Sequence, residues 1–304
     1  MKFKFWGVRG SIATPGPTTV KYGGNTTCIE ITSSAGDLII LDAGTGIHSL
    51  AQSLPRQALT AHILITHTHW DHIQGLPFFL PMFKAGNQIN IYGGLEPLTH
   101  QGIERAMHVQ LQHSYFPISE AQLKASVHYF TLKAGVTINV GAVRVTPIVL
   151  NHPVYNFGYR IDDSDGSSLF FTGDYEPQLN PYQPDHPGYQ AMQELIEQKR
   201  EEVIAAMSGV DALIMDSSYT DAEYALRYGW GHGTYRSAMN FAEQAGVKRL
   251  FLTHHEPTRS DTELETIYQS ILQSGETDFA VYLAKEGDLY DLKAGSEAAQ
   301  AVKV

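Results

Sequence analysis

The chain has 304 residues, 43% of them hydrophobic and 17% charged, which is enough to bury a full core. No apolar run approaches the roughly eighteen residues of a membrane-spanning helix, and a net charge of -11 argues against bulk nucleic-acid binding, which needs clustered Lys and Arg. The lone Cys28 excludes an internal disulfide and suits a reducing cytoplasm.

In chain order, the opening MKFKFWGVRGS lacks the apolar stretch of a signal peptide and reads as a first strand. The runs CIEIT, DLIILDAG, AHILITH and INIYG follow as strands, then a helical pattern over 98–111. VRVTPIVLNH and SLFFTGD are the next strands, with a helix over 189–207 after them. DALIMDSS, a helix over 234–245, KRLFLTHH and FAVYLAKEG complete the series. Several strands are apolar throughout, as strands buried on both faces are. The whole predicts an α/β fold, a single domain over 1–304 with sheets covered by helices. The stretches 95–135 and 176–207 read as insertions with the character of a lid or a dimer contact, so a homodimer is one expectation. The small, polar tail KAGSEAAQAVKV is expected to fray.

Metal-competent residues recur where apolar strands end: Asp42, His67, His152, Asp174, Asp216 and His254. Strand ends and their loops are where layered α/β folds build sites. The densest group is His67-Thr68-His69-Trp70-Asp71-His72, four donors within six residues. Imidazole and carboxylate suit zinc, and also manganese or iron. On an extended segment His67 and His69 point the same way, while Asp71 and His72 can turn toward a second position.

HTHWDH matches the H-x-H-x-D-H signature of the metallo-β-lactamase superfamily, and the chain resembles that family over about residues 1–290. The resemblance implies an αββα sandwich of two mixed sheets with flanking helices, holding two divalent metal ions, zinc first, with manganese or iron as alternatives. By the same resemblance one ion takes His67, His69 and His152, the other takes Asp71, His72 and His254, and Asp174 bridges them. Asp42 looks like the family's structural aspartate. His255 rivals His254, which is preferred because it directly follows the apolar run.

Gly231-His232-Gly233-Thr234 is similar to the G-H-S-T segment of tRNA 3′-processing endonucleases and related phosphodiesterases, with Gly233 in place of serine. That likeness implies that His232 protonates the leaving oxygen and that Asp216 orients it; with Asp71 these are the expected catalytic groups. The opening FWGVRGS and KYGGNTTC resemble bacterial cyclic-nucleotide and related phosphodiesterases, which puts Arg9, Ser11 and Asn25 forward for substrate binding. Tyr115, Phe116, Tyr155, Phe157 and Tyr175 are candidates to stack on a base. The leading expectation is hydrolysis of a small nucleotide phosphodiester, cyclic nucleotides included. The alternatives are tRNA 3′ processing and hydrolysis of a lactone, thioester or β-lactam.

Overall fold

Two kinds of strand appear in the computed structural model, which describes residues 1–96, 99–273, 275 and 277–293. β1 (Lys2–Gly7) alternates, burying Phe3 and Phe5 and exposing Lys2. β11 (Ala212–Asp216) and β12 (Arg249–Thr253) are buried at every position. The difference follows from position, because the latter two are inner strands of a sheet covered on both faces.

The first sheet also contains β2 (Cys28–Thr32), β3 (Leu38–Leu41), β4 (Thr60–Leu64), β5 (Gln88–Gly93), β6 (Ser126–Thr131) and β14 (Leu289–Asp291), in the order β14-β1-β2-β3-β4-β5-β6. The second adds β7 (Ile138–Val140), β8 (Val143–Leu150), β9 (Asn156–Asp163), β10 (Ser168–Phe171) and β13 (Ala280–Leu283), in the order β13-β12-β11-β10-β9-β8-β7. Each sheet is antiparallel in one half and parallel in the other: β3 to β6 run parallel in the first, β10 to β13 in the second.

Between the sheets lies one apolar core, with Phe3, Phe5, Ile31, Phe171 and Phe251 inside it. The outer face of the first sheet packs on α1 (Gly46–Ser53) and α3 (Glu104–Gln110), with Ile47, Leu50 and Met107 against Ile40, Ile63 and Ile89. The second sheet is covered by α4 (Tyr189–Met207), α6 (Tyr235–Ala245) and α7 (Asp261–Gln273), through Met207, Phe241 and Leu264. Helix, sheet, sheet and helix are thus stacked in four layers, the αββα sandwich of two mixed sheets that the resemblance implies. Two short helices, α2 (Trp70–Ile73) and α5 (Asp221–Tyr224), sit at the edge where the site forms.

The helix expected over 98–111 is shorter, Glu104–Gln110, and its first expected residue lies outside the described ones. The stretch 95–135 supplies both α3 and the edge strand β6. Most of the expected tail, 294–304, lies outside the described residues. Among the described residues no helix is long and apolar enough to cross a membrane.

Candidate metal centre

The C-terminal ends of β3 and β4 from one sheet, and of β10, β11 and β12 from the other, converge on one edge of the sandwich. Asp42 follows β3, and its carboxylate accepts bonds from Thr66 N at 2.7 Å, Thr66 Oγ1 at 2.9 Å and His72 Nδ1 at 2.7 Å. That last bond fixes the His72 tautomer and leaves Nε2 bare toward the cluster. His67 follows β4, His69 caps α2, and Asp71 and His72 lie within α2.

Asp174 sits at the centre. Its Oδ2 is 3.4 Å from His67 Nε2 and 3.6 Å from His152 Nε2, and its Oδ1 is 3.1 Å from both His72 Nε2 and His254 Nε2. Asp71 Oδ2 lies 3.3 Å from His72 Nε2 and from His254 Nε2. His69 Nδ1 is 3.1 Å from His152 Nε2. Three donor sets have their ligand atoms within 4.8 Å of one another: His67, His69, His152 and Asp174; Asp71, His72, His254 and Asp174; and an overlapping set of Asp174, Asp216, His232 and His254.

The donors fit metal ions. His67 Nε2, His72 Nε2 and Asp174 Oδ1 are buried without a hydrogen-bond partner, and such atoms cost about 1–3 kcal/mol each unless something satisfies them. Burial pushes the Asp174 carboxyl up, but His254, His72 and His232 outweigh it and hold it well below the carboxylate range. Burial, helped by the neighbouring His72 and against the pull of Asp174, pushes His67 well down, so its imidazole is neutral, the form that ligates.

His232 lies beside this cluster, in the loop before α6. Its Nδ1 bonds Asp216 Oδ2 at 2.9 Å and stands 3.8 Å from Asp174 Oδ2. Burial lowers its pKa, but the carboxylates of Asp216 and Asp174 raise it to about 9. Asp216 is held in turn by Ser218 Oγ at 2.8 Å and Tyr175 N at 3.1 Å.

A family model for the β-lactamase superfamily domain matches residues 38–255, a span that includes every donor above. The chain belongs to the metallo-β-lactamase superfamily. It is 26% identical over 238 residues to a Ribonuclease Z of Limosilactobacillus reuteri (strain DSM 20016), covering 68% of this chain and 74% of that protein. In structure it resembles the metallo-beta-lactamase fold protein YhfI from Bacillus subtilis (TM-score 0.65, 18% identity, 95% of this chain and 98% of that one). It also resembles the short form of human tRNase Z (TM-score 0.64, 20% identity, 97% of this chain and 100% of that one). Membership places the protein among metal-dependent hydrolases.

Other expected residues of this superfamily member are placed differently. Arg9 does not reach the site: it is fully buried, and its guanidinium donates to Gly23 O at 2.8 Å and Arg259 O at 2.7 Å. Asn25 is committed as well, donating to Glu286 Oε2 at 3.0 Å and accepting from Thr45 Oγ1 at 3.0 Å. Ser11 does lie at the cluster, its backbone N–H donating to Asp71 Oδ2 at 2.7 Å. Tyr175 and Phe157 are core residues, Phe116 packs edge-on against Phe78, and Tyr155 packs on Phe157. Tyr115 stands in solvent, 68% exposed. His255 faces away: buried, it bonds Ala284 O at 2.8 Å through Nε2.

Glu176 has no signal in the sequence that marks it, yet it organises the loop before α6. Its carboxylate accepts from Gly229 N at 2.8 Å, Gly231 N at 2.7 Å and the Tyr224 hydroxyl at 2.8 Å. Gly231 O in turn accepts from His152 Nδ1 at 2.9 Å, which aims His152 Nε2 at the cluster. Gly10 matters by contact: a Cβ there would lie 2.2 Å from the His254 ring. A cavity of about 420 Å³ borders His152 between β8, α4 and α6, lined by Ile196, Val203 and Phe241.

Proposed function

We propose that the protein is a phosphodiesterase that uses two divalent cations, zinc by the nitrogen and oxygen chemistry of its donors. One set, His67, His69 and His152, would hold the first ion; Asp71, His72 and His254 would hold the second, with Asp174 shared. Such ions supply, when bound, activation of a water nucleophile and neutralisation of phosphate charge.

The observation that carries the reading is the His232–Asp216 pair beside the cluster. With Nδ1 bonded to Asp216, the proton His232 can release is on Nε2. An alkoxide leaving group departs from phosphorus only with difficulty unless it is protonated, and an imidazolium held by a carboxylate is a suitable donor. As water oxygen bonds to phosphorus, its proton passing to a carboxylate of the cluster, and the ester P–O bond breaks, His232 Nε2–H passes its own proton to the departing oxygen. A thioester, whose thiolate leaves readily, makes no comparable demand on a donor at that position.

A small nucleotide is the substrate favoured by the net charge of -11. Cleavage at the 3′ end of a tRNA is the second reading, favoured by relatives that bear the name Ribonuclease Z. Hydrolysis of a 2′,3′-cyclic nucleotide, whose leaving group is an alkoxide, by wild type and His232→Ala, each at known metal content, tests the reaction. Loss of about 10²–10⁴ in kcat with metal content retained supports it; equal rates refute it. Salt-dependent binding and cleavage of a precursor tRNA, with small phosphodiesters left intact, would select the second reading.

A further inference from the structure

Two tryptophans are exposed on segments that carry residues of the site. Of the three in the chain, Trp6 is half-buried and bonds Glu30 Oε2 at 2.7 Å. Trp70 and Trp230 are 65% and 61% exposed. Trp70 opens α2 between His69 and Asp71, and Trp230 lies two residues before His232.

Contacts of their chain neighbours bring the backbone at both positions close to His152. His69 Nδ1 is 3.1 Å from His152 Nε2. Gly231 packs on the same turn, where an added Cβ would lie 2.3 Å from His152 Nδ1 and 2.5 Å from Pro153 Cδ. Both tryptophans therefore adjoin a residue that touches His152. The backbone on either side of Trp230 is pinned from within, since Gly229 N and Gly231 N both donate to the Glu176 carboxylate. A fixed backbone carrying an indole into water forgoes the burial that tryptophan usually obtains, and two such rings beside one site mark a contact surface.

We propose that Trp70 and Trp230 form a stacking surface for a nucleobase carried by the phosphodiester, on the His69–His152 side of the cluster. The inference rests on the phosphodiesterase reading of the same site. An indole face accepts any base by stacking, without a hydrogen-bond code. Such a surface also suits an acidic chain, because stacking draws on no cationic side chain.

The test is binding, so it does not depend on turnover. Adenosine 5′-monophosphate and ribose 5-phosphate share phosphate and sugar and differ in the base. Their affinities for the metal-loaded protein are measured by calorimetry, with tryptophan emission followed in parallel. Wild type should bind the adenine compound more tightly, with quenching. Trp70→Ala and Trp230→Ala should each reduce that advantage roughly 5–150-fold, while Trp70→Phe and Trp230→Phe keep most of it. Equal affinities in wild type, no binding of either ligand, or an advantage untouched in both alanine variants would overturn the proposal. So would alanine variants that only dissociate a dimer. If the base preference is found and no phosphodiester is cleaved, the stacking surface stands and the reaction assigned to the site falls.

Discussion

Replacing Asp42 by asparagine separates orientation of a ligand from the ligand itself. Asp42 has φ 59, a left-handed conformation that asparagine also tolerates, and the two side chains are nearly isosteric, so the fold should persist. The amide oxygen can still accept from Thr66, which turns the NH2 toward His72 Nδ1. His72 must then accept at Nδ1 and carry its proton on Nε2, the atom that lies 3.1 Å from Asp174 and 3.3 Å from Asp71. A protonated nitrogen cannot ligate. Losing an orienting partner of this kind costs about 10–100-fold in metal affinity, or about 1.4–2.7 kcal/mol. Titration of metal-free protein against a competing chelator would resolve the two binding steps. The expected loss falls on the Asp71–His72–His254 position, with the His67–His69–His152 position less affected. Affinity unchanged at both positions, in a variant that unfolds at the wild-type temperature without metal, would refute the assigned role of Asp42.

Three further substitutions test other parts of the site. Glu176→Gln sets an NH2 against a backbone donor, at either Gly229 or Gly231; it should cost about 1–3 kcal/mol in denaturant unfolding and lower kcat through the displaced His232 loop. Gly10→Ala forces a Cβ into the His254 ring, and metal analysis should show less than full occupancy of the second position. His255 is held by burial down to about 3, against about 6.5 when unfolded. The unfolded chain therefore gains a proton that the folded one refuses as pH falls below about 6.5. Stability should drop by about 3 kcal/mol on going down to about pH 4. His255→Gln, whose amide can still donate to Ala284 O, should flatten that dependence relative to wild type, and parallel curves would disprove it.

How much of this was legible in the sequence depended on whether the signal was local. Several site residues were visible because they follow an apolar run that had to be a buried strand, as Asp216 follows ALIM and His254 follows LFLT, and the rest because His67, His69, Asp71 and His72 crowd into six residues. Helix α6 was marked at both ends, by Thr234 accepting from Ser237 N and by Gly246 at φ 59. Strands β6 and β14 were missed because the first is a mostly exposed edge and the second has only three residues. In β9, NFGYRIDD, a glycine and charged residues interrupt the apolar pattern. Arg9 and Asn25 failed for a different reason: closeness in sequence to glycine turns says nothing about which way a side chain points. The partners of Arg9 are 14 and 250 residues away, beyond any local pattern.

The backbone itself argues that the cluster, and not folding economy, dictates this edge of the sandwich. Past β3, β10 and β12 the chain turns through the left-handed region, at Asp42 (φ 59), Gly173 (φ 58) and His254 (φ 60). Glycine adopts that conformation at little cost, but Asp42 and His254 each forgo roughly 1–2 kcal/mol. Nothing in strand termination requires it, since a glycine would end β3 or β12 as well. What the turn achieves is direction: it swings Asp42 under His72 and puts His254 Nε2 between Asp71 and Asp174. For Asp42, bonds to Thr66 and His72 offset the strain within the protein. His254 has Ser218 Oγ at 3.0 Å and Asp216 Oδ1 at 3.9 Å on its Nδ1 side, and its other nitrogen faces carboxylates. Its Nε2 stands 3.3 Å from Asp71 Oδ2 and 3.1 Å from Asp174 Oδ1, so a cation held by these residues would add to what offsets the strain at His254.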